Sequence, residues 1–375
     1  MDFPHTPLHR LDAPASVCTA GRLVEADGGW RLENARESIR LAVDGRDPEP
    51  MNGGDLVRVA GEWDGSTLRL RRIERVHTRD RPTSDSRLDT ARSTGEILRR
   101  RHELAGTVRD YFRGRDFREV QTPNVVDSPG TDIYIDPFRV SSVGEDSDRA
   151  EGYLHTSPEF AMKRLLAEGC ERIFRLGKVW RDCERASDWH HPEFTMLEWY
   201  RAWEERDTVL TDVERIVDAV TGGRARLAAP SVGDEGTRTV DLDPPFDRIA
   251  MRELVDETCG FDLLDALDYR SLREACLRRG LLEASIERRH PPEEGRWDEL
   301  FFELMVEHLE PRLARMGAVF ITDWPAPLAV LAAKDPDDPR IADRFELYVG
   351  GVELANGFRE LTDPEEQRRR FEEDL

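Results

Sequence analysis

Three carboxylates in this 375-residue sequence stand where their neighbours point to work rather than simple solvation. Glu198 lies in Glu193–Trp203, an apolar and aromatic run whose period of two puts Phe194, Met196, Glu198 and Tyr200 on one face and Thr195, Leu197 and Trp199 on the other. A carboxylate between aromatics is costly to bury unpaired, so Glu198 either faces water or awaits a cation. Glu346 and Glu353 flank Gly350-Gly351, a dipeptide that tolerates the positive φ of a type I′ turn. A two-residue loop would set Tyr348 opposite Glu353 and Glu346 opposite Ala355, leaving the two glutamates diagonal on one face, about 7 to 8 Å apart at the backbone. Two hard carboxylates so placed suit Mg²⁺ carrying a nucleotide phosphate. Two ordinary surface glutamates would give the same pattern.

The elements that must hold these residues are legible around them. Arg172–Arg181 and Glu193–Trp203, joined by the polar loop Asp182–Pro192, read as a long hairpin. After the second hairpin, Asp363 is a good N-cap, Pro364 suits the first helical position and Glu366 completes a capping-box spacing. Upstream, Ile97, Leu98, Leu104, Ala105, Val108, Tyr111 and Phe112 predict an amphipathic helix from about Thr94 to Phe112. Helical segments are expected near Met251–Glu257, Tyr269–Arg279 and Arg296–Leu309, and a buried strand over Val319–Thr322 ended by Trp324-Pro325. Gly222–Asp247 has little periodicity and reads as a surface connection or insertion.

The N-terminal segment is different in kind. Val17–Val24, Trp30–Glu33, Ile39–Val43, Leu56–Trp63 and Thr67–Val76 read as short strands with turns at Asp27-Gly28-Gly29 and Asp64-Gly65, which suits a small OB-type barrel. The organisation expected is therefore α+β: an OB-like module over residues 1–80, a polar linker over 81–92, and a catalytic domain over 93–375 built on an antiparallel sheet flanked by helices.

No stretch approaches the ~18 apolar residues of a membrane span, and no basic, apolar leader opens the chain, so a cytoplasmic protein without a membrane partner is expected. Five scattered cysteines with no CxxC pair argue against a disulfide framework or a structural zinc site. His190 and His191 have no cysteine or acid beside them in a ligand pattern. The net charge of −22 falls almost wholly beyond residue 90 and disfavours nonspecific nucleic-acid binding.

Several longer segments then resemble a known family. Phe117–Pro123 (FREVQTP) after a long helix resembles motif 1 of the class II aminoacyl-tRNA synthetases. FRLGKVWRD followed by HHPEFTMLEWY, within Arg172–Tyr200, resembles their motif 2 hairpin, and RFELYVGGVELANGFREL (Arg344–Leu361) resembles the segment before motif 3 in lysyl-tRNA synthetases. TDIYIDPF, LHTSPEFAMKRLLAEG, PEFTMLEWYRAW and GVELANGFRELTD look more closely like the elongation factor P lysine ligases, lysyl-tRNA synthetase paralogues that attach lysine or β-lysine to a lysine of that factor. The resemblance covers about residues 93–375.

It implies that Ser157, Pro158 and Glu159 of TSPE, with Glu198, Tyr200, Asn356 and Glu360, line an amino-acid pocket whose three carboxylates select a cationic substrate. It implies a catalytic Arg181 bridging the substrate carboxylate and the α-phosphate of ATP, and Phe194 stacking on adenine. Asp182, Cys183, Glu184, His191, Glu353 and Leu354 would contact the nucleotide, while Glu346 and Glu353 would hold Mg²⁺. Motif 1 implies a homodimer.

The sequence also departs from the family. The motif 2 loop RDCERASDWHHP is one residue longer than usual, so Glu184 and Cys183 compete for a single glutamate role and His191 stands where an asparagine is expected. The GxGxDR sequence of motif 3 does not occur, and the relatives continue past the position of Leu375; the expectation is a fragment, a truncated product or an inactive remnant with sheet surface uncovered. The OB-like module is unusual for the factor ligases and usual for lysyl-tRNA synthetases. Arg69, Arg71, Arg72 and Arg75 on its closing strand are either phosphate contacts or an ordinary basic edge. Three functions are weighed on these grounds: lysylation of elongation factor P, lysylation of tRNA, and non-catalytic binding by a synthetase-like protein.

Overall fold

Alternating apolar residues close the N-terminal strands into a ring. In a computed structural model, which describes residues 6–11, 13–26, 29–34, 37–43, 52–77, 91–130, 134–141, 151–182, 190–224, 226–230, 237–282, 290–291 and 295–374, the strands β1 (Ala15–Ala26), β2 (Gly29–Glu33), β3 (Ser38–Val43), β4 (Leu56–Trp63) and β5 (Thr67–His77) form a closed barrel of order β1-β2-β3-β5-β4. All neighbours run antiparallel except β3 and β5. Leu23, Leu32, Val59 and Leu68 fill the interior, fully buried. Asp64 Oδ1 accepts from the backbone of Ser66 and Thr67 and so closes the β4–β5 turn; Asp27 and Gly28 of the other expected turn lie outside the described residues. On the basic strand, Arg71 pairs with Glu62 at 2.8 Å and Arg75 with the buried Asp55 at 3.0 Å. Two of the four arginines are thus held by acids of the barrel itself.

The chain divides into two compact units, Met1–Gly106 and Thr107–Leu375. The division falls inside helix α1 (Ala91–Arg113), which begins a little before the expected Thr94 and takes in the last residues of the expected linker; residues 78–90 lie outside the described set.

In the second unit, α1 ends with Phe112 stacked on Phe174 at 4.7 Å and set edge-on to Phe117 at 5.0 Å. Short strands β6 (Arg118–Glu119), β7 (Val125–Val126), β8 (Arg139–Ser141) and β9 (Glu151–Leu154) lead to helix α2 (Glu159–Ala167) and then to the hairpin β10 (Arg172–Trp180) and β11 (Glu193–Arg201). Leu197 and Trp199 of β11 turn toward the Phe112 and Phe174 cluster, as the period of two requires. Helix α3 (Arg206–Thr221) follows.

Helices α4 (Met251–Cys259), α5 (Tyr269–Arg279) and α6 (Trp297–Leu304), a π-helical turn at Met305–Leu309 and helix α7 (Glu310–Leu313) lay their apolar faces on a second sheet. Met251, Leu254, Leu300 and Phe301 meet Val319 and Ile321 there, each essentially without exposure. That sheet has the order β14-β15-β16-β17, where β14 is Asp247–Ala250, β15 Ala318–Pro325, β16 Ile341–Val349 and β17 Val352–Phe358. Helix α8 (Pro364–Asp374) is last.

The fold is α+β as expected, with four corrections of detail. The sheets are not wholly antiparallel, because β6 joins β10 and β14 joins β15 in parallel. Residues in the expected surface connection form a hairpin, β12 (Arg226–Pro230) on β13 (Thr237–Asp241). The strand does end at Trp324-Pro325, but the dipeptide lies within it and not beyond Thr322: past an irregularity at Asp323, φ 56°, β15 pairs with β16 through Pro325. At α8, Asp363 caps the backbone NH groups of Glu365 and Glu366 as expected, but Glu366 does not complete a capping box, since its carboxylate is taken by Arg369 and Arg370.

Candidate functional site

The in-register pairing of β10 and β11 sets Glu198 opposite Arg175 and Tyr200 opposite Ile173. With Leu197 and Trp199 committed to the core, Glu198 and Tyr200 face the other way. The Glu198 carboxylate accepts from Tyr200 OH at 2.8 Å and from Ser157 Oγ at 2.9 Å. Ser157 Oγ in turn accepts from the backbone NH of Glu159, so one hydroxyl ties the start of α2 to β11. One helical turn along α2, Lys163 Nζ lies 2.7 Å from Glu159 Oε1 and 2.6 Å from Glu360 Oε2, beyond the end of β17.

Glu159, Glu198 and Glu360 therefore form one acidic cluster with Tyr200 and a single ammonium. Burial, then the nearby Glu159, raise the Glu198 pKa to about 7, against the hydrogen bonds from Tyr200 and Ser157. Burial also lifts Glu360 to about 7; Lys163 opposes the shift, and Glu159 and Glu198 add to it. Tyr200 is pushed well above its ordinary value by burial and the three carboxylates. For Lys163, burial acts to lower the pKa, but Glu159 and Glu360 outweigh it and the net shift is upward. The cluster is short of positive charge.

Arg181 follows β10 directly. Its backbone NH donates to Pro192 O at 3.0 Å across the base of the loop, and its Nε reaches Thr156 O at 3.4 Å. Its guanidinium stands 5.3 Å from the centre of the Phe194 ring, the geometry of a cation–π contact. Asp182 donates its backbone NH to Asp136 O at 2.7 Å. His191 is exposed, and Cys183 and Glu184 lie outside the described residues.

The second carboxylate group corrects the expected register. Tyr348 does pair with Glu353 across Gly350-Gly351, whose φ angles of 60° and 81° are those the turn demands, but Glu346 pairs with Asn356, not Ala355. Leu354 is the extra residue of a bulge, 56% exposed, and it restores Asn356, Phe358 and Glu360 to the face that carries Glu346 and Glu353. Glu346 is buried and accepts from Arg344 at 2.6 Å and Tyr348 OH at 2.7 Å. Glu353 is exposed and has no hydrogen-bond partner among the described residues, yet its pKa is raised to about 7 by surrounding protein and then by Glu346, with Arg344 and Arg181 opposing.

An oxygen-only pair in which one carboxylate is open and the other keeps lone pairs is a donor set that fits Mg²⁺, the rest of its shell coming from phosphate and water. No group of three or more metal-ligating side chains occurs among the described residues. Asn356 is exposed and makes no side-chain hydrogen bond to the acidic cluster among the described residues, while Pro158 is buried at the start of α2. Sequence reasoning missed Lys163, although its spacing of four from Glu159 on a helix is a signal for a pair. It also missed Arg344 and Tyr348, although the period of two puts both on the strand face of Glu346.

A family model described as tRNA synthetases class II (D, K and N) matches residues 85–375. The chain belongs to this family. Among similar proteins, the elongation factor P (R)-β-lysine ligase of Vibrio cholerae is 35% identical over 278 residues, covering 74% of this chain and 77% of the relative. That of Proteus mirabilis is 36% identical over 279 residues, with the same coverage. The lysine–tRNA ligase of Dehalococcoides mccartyi is 33% identical over 275 residues, covering 73% of this chain and 52% of the relative. The chain is thus a class II synthetase-like ligase of an ATP-using family, related to the factor ligases. No helix among its described residues is long and apolar enough to cross a membrane, and Cys170, Cys259 and Cys276 are free thiols.

Proposed function

We propose that this protein activates lysine or β-lysine with ATP as an aminoacyl adenylate and transfers it to a lysine of elongation factor P. The observation that carries the proposal is the cluster of Glu159, Glu198 and Glu360 around Tyr200, a site short of cations, with Arg181 reaching Thr156 O one residue before Ser157 of the cluster. In this reading the substrate's ammonium groups are bound by the three carboxylates, with Tyr200, Ser157, Pro158 and Asn356 shaping the pocket. Arg181 holds the substrate carboxylate against the α-phosphate, and Phe194 stacks on adenine.

Asp182, either Glu184 or Cys183, His191 and Leu354 complete the nucleotide contacts, and Glu346 with Glu353 would hold Mg²⁺, which would neutralise phosphate charge. The substrate carboxylate oxygen attacks the α-phosphorus in line and pyrophosphate leaves; the acceptor amine then attacks the acyl carbon and AMP leaves. Orientation and positive charge supply the acceleration, and no enzyme nucleophile is required. A homodimer in the cytoplasm is part of the proposal.

Lysylation of tRNA is the second reading, favoured by the N-terminal barrel and by the similarity to a lysine–tRNA ligase. Offering elongation factor P and tRNA side by side with labelled lysine and β-lysine separates the two. Label on the factor supports the proposal; label on the tRNA alone overturns it.

A further inference from the structure

Lys163 is the one cation in ion-pair contact with the acidic cluster among the described residues. Its ammonium touches one oxygen of Glu159 and one of Glu360, and stands 5.5 Å from the centre of the Phe358 ring. Each carboxylate keeps a second oxygen, so the lysine bridges the two without filling them. It also ties the first turn of α2 to the segment after β17, two elements that nothing in the local sequence forces together. Glu198, the third carboxylate, accepts hydrogen bonds from the neutral donors Ser157 and Tyr200. With all three carboxylates ionised, three negative charges and one bound positive charge leave two unmatched, Arg175 acting on Glu198 from across the hairpin without an ion-pair contact.

We propose that Lys163 is a specificity-determining residue: by bridging Glu159 and Glu360 it cancels one of the pocket's three negative charges, so that the two left over match the two ammonium groups of a diamino acid. This rests on the amino-acid pocket proposed above. The substrate's own carboxylate is balanced separately by Arg181. Lys163 acts as a positioning and charge-setting residue and not as a substrate contact. Without it, Glu360 loses the ammonium that opposes its upward shift and retains a proton that an incoming ammonium must displace.

The test is calorimetric titration of lysine and of β-lysine into the wild type, Lys163→Met and Lys163→Arg at pH 7, in buffers of different ionisation heat, which counts the protons released on binding. The groups whose titration the count reads are Glu198, Glu360, Tyr200 and, where present, Lys163, with Arg175 a fixed positive charge opposite Glu198 on β10. Lys163→Met is expected to weaken binding about tenfold or more and to release about one further proton per site. Lys163→Arg, which keeps the charge, is expected to stay within about threefold of the wild type with the wild-type proton count. Should Lys163→Met fail to fold, Lys163→Gln carries the same comparison. A Met or Gln variant that binds like the wild type and releases no extra proton overturns the inference alone. A wild type that binds neither amino acid overturns the functional reading, and this inference with it.

Discussion

Glu198 and Glu360 are held near a pKa of 7 chiefly by burial, and this places the pocket's chemistry in single side chains. Glu360→Ala removes one of two carboxylates that touch Lys163 and, under the proposed function, one of the charges that bind the substrate. Lysine KM is expected to rise about tenfold or more, equivalent to about 1.4 kcal/mol or above, with ATP KM within about threefold; steady-state kinetics at varied lysine and varied ATP measure the split. Equal rises in both would show that Glu360 is not part of the amino-acid pocket. At this scale the sequence was informative wherever a residue broke its local pattern. Glu198 among aromatics was such a case. Lys163 followed its helix's ordinary charge spacing, and its contact with Glu360 crosses nearly the whole second unit, so nothing local announced it.

At the scale of elements, hairpins were readable because turn chemistry and alternation agree. Gly350-Gly351 fixed the turn and the pairing of Tyr348 with Glu353. The bulge at Leu354 was not readable, since the sequence offers no glycine or proline there to mark it. It nonetheless decides the site, because an unbulged strand would put Glu353 and Asn356 on opposite faces. The hairpin β12–β13 was hidden for a related reason, its strands being short and poor in aromatics. Gly351 has φ 81°, and a Cβ there would come within 2.7 Å of Ala314 Cα at the end of α7. Gly351→Ala should therefore destabilise the second unit by about 1 to 3 kcal/mol, read as a lower urea midpoint at unchanged slope. An unchanged midpoint would mean that the turn does not pack on α7.

For the whole molecule, charge makes stability and ligand binding interdependent. Glu198 and Glu360 have folded pKa values of about 7, above the ordinary 4.5. Between those values the folded chain binds more protons than the unfolded one, so stability falls as pH rises and is regained as pH drops from about 8 toward 5. Glu353 shifts the same way, but it is open to solvent and contributes less. Thermal melts without ligand should show a higher Tm at pH 6 than at pH 8, and saturating lysine should raise Tm more at pH 8, where the carboxylates await cations. A Tm that rises steadily from pH 6 to 8 without lysine would contradict the upward shifts of Glu198 and Glu360. The α+β class was visible in the change from short alternating strands to long helices. Which face of each sheet carried the site was set by contacts between distant segments.

The measurement closest to the central claim is ATP–pyrophosphate exchange with lysine and with β-lysine, run on the wild type and on Arg181→Ala. A diamino-acid pocket beside Arg181 predicts exchange that requires one of these amino acids, is not supported by norleucine, and falls by at least about a hundredfold in the variant, about 2.7 kcal/mol of lost transition-state stabilisation. Exchange supported equally by norleucine, or undiminished in Arg181→Ala, or absent from the wild type with both diamino acids, would contradict it.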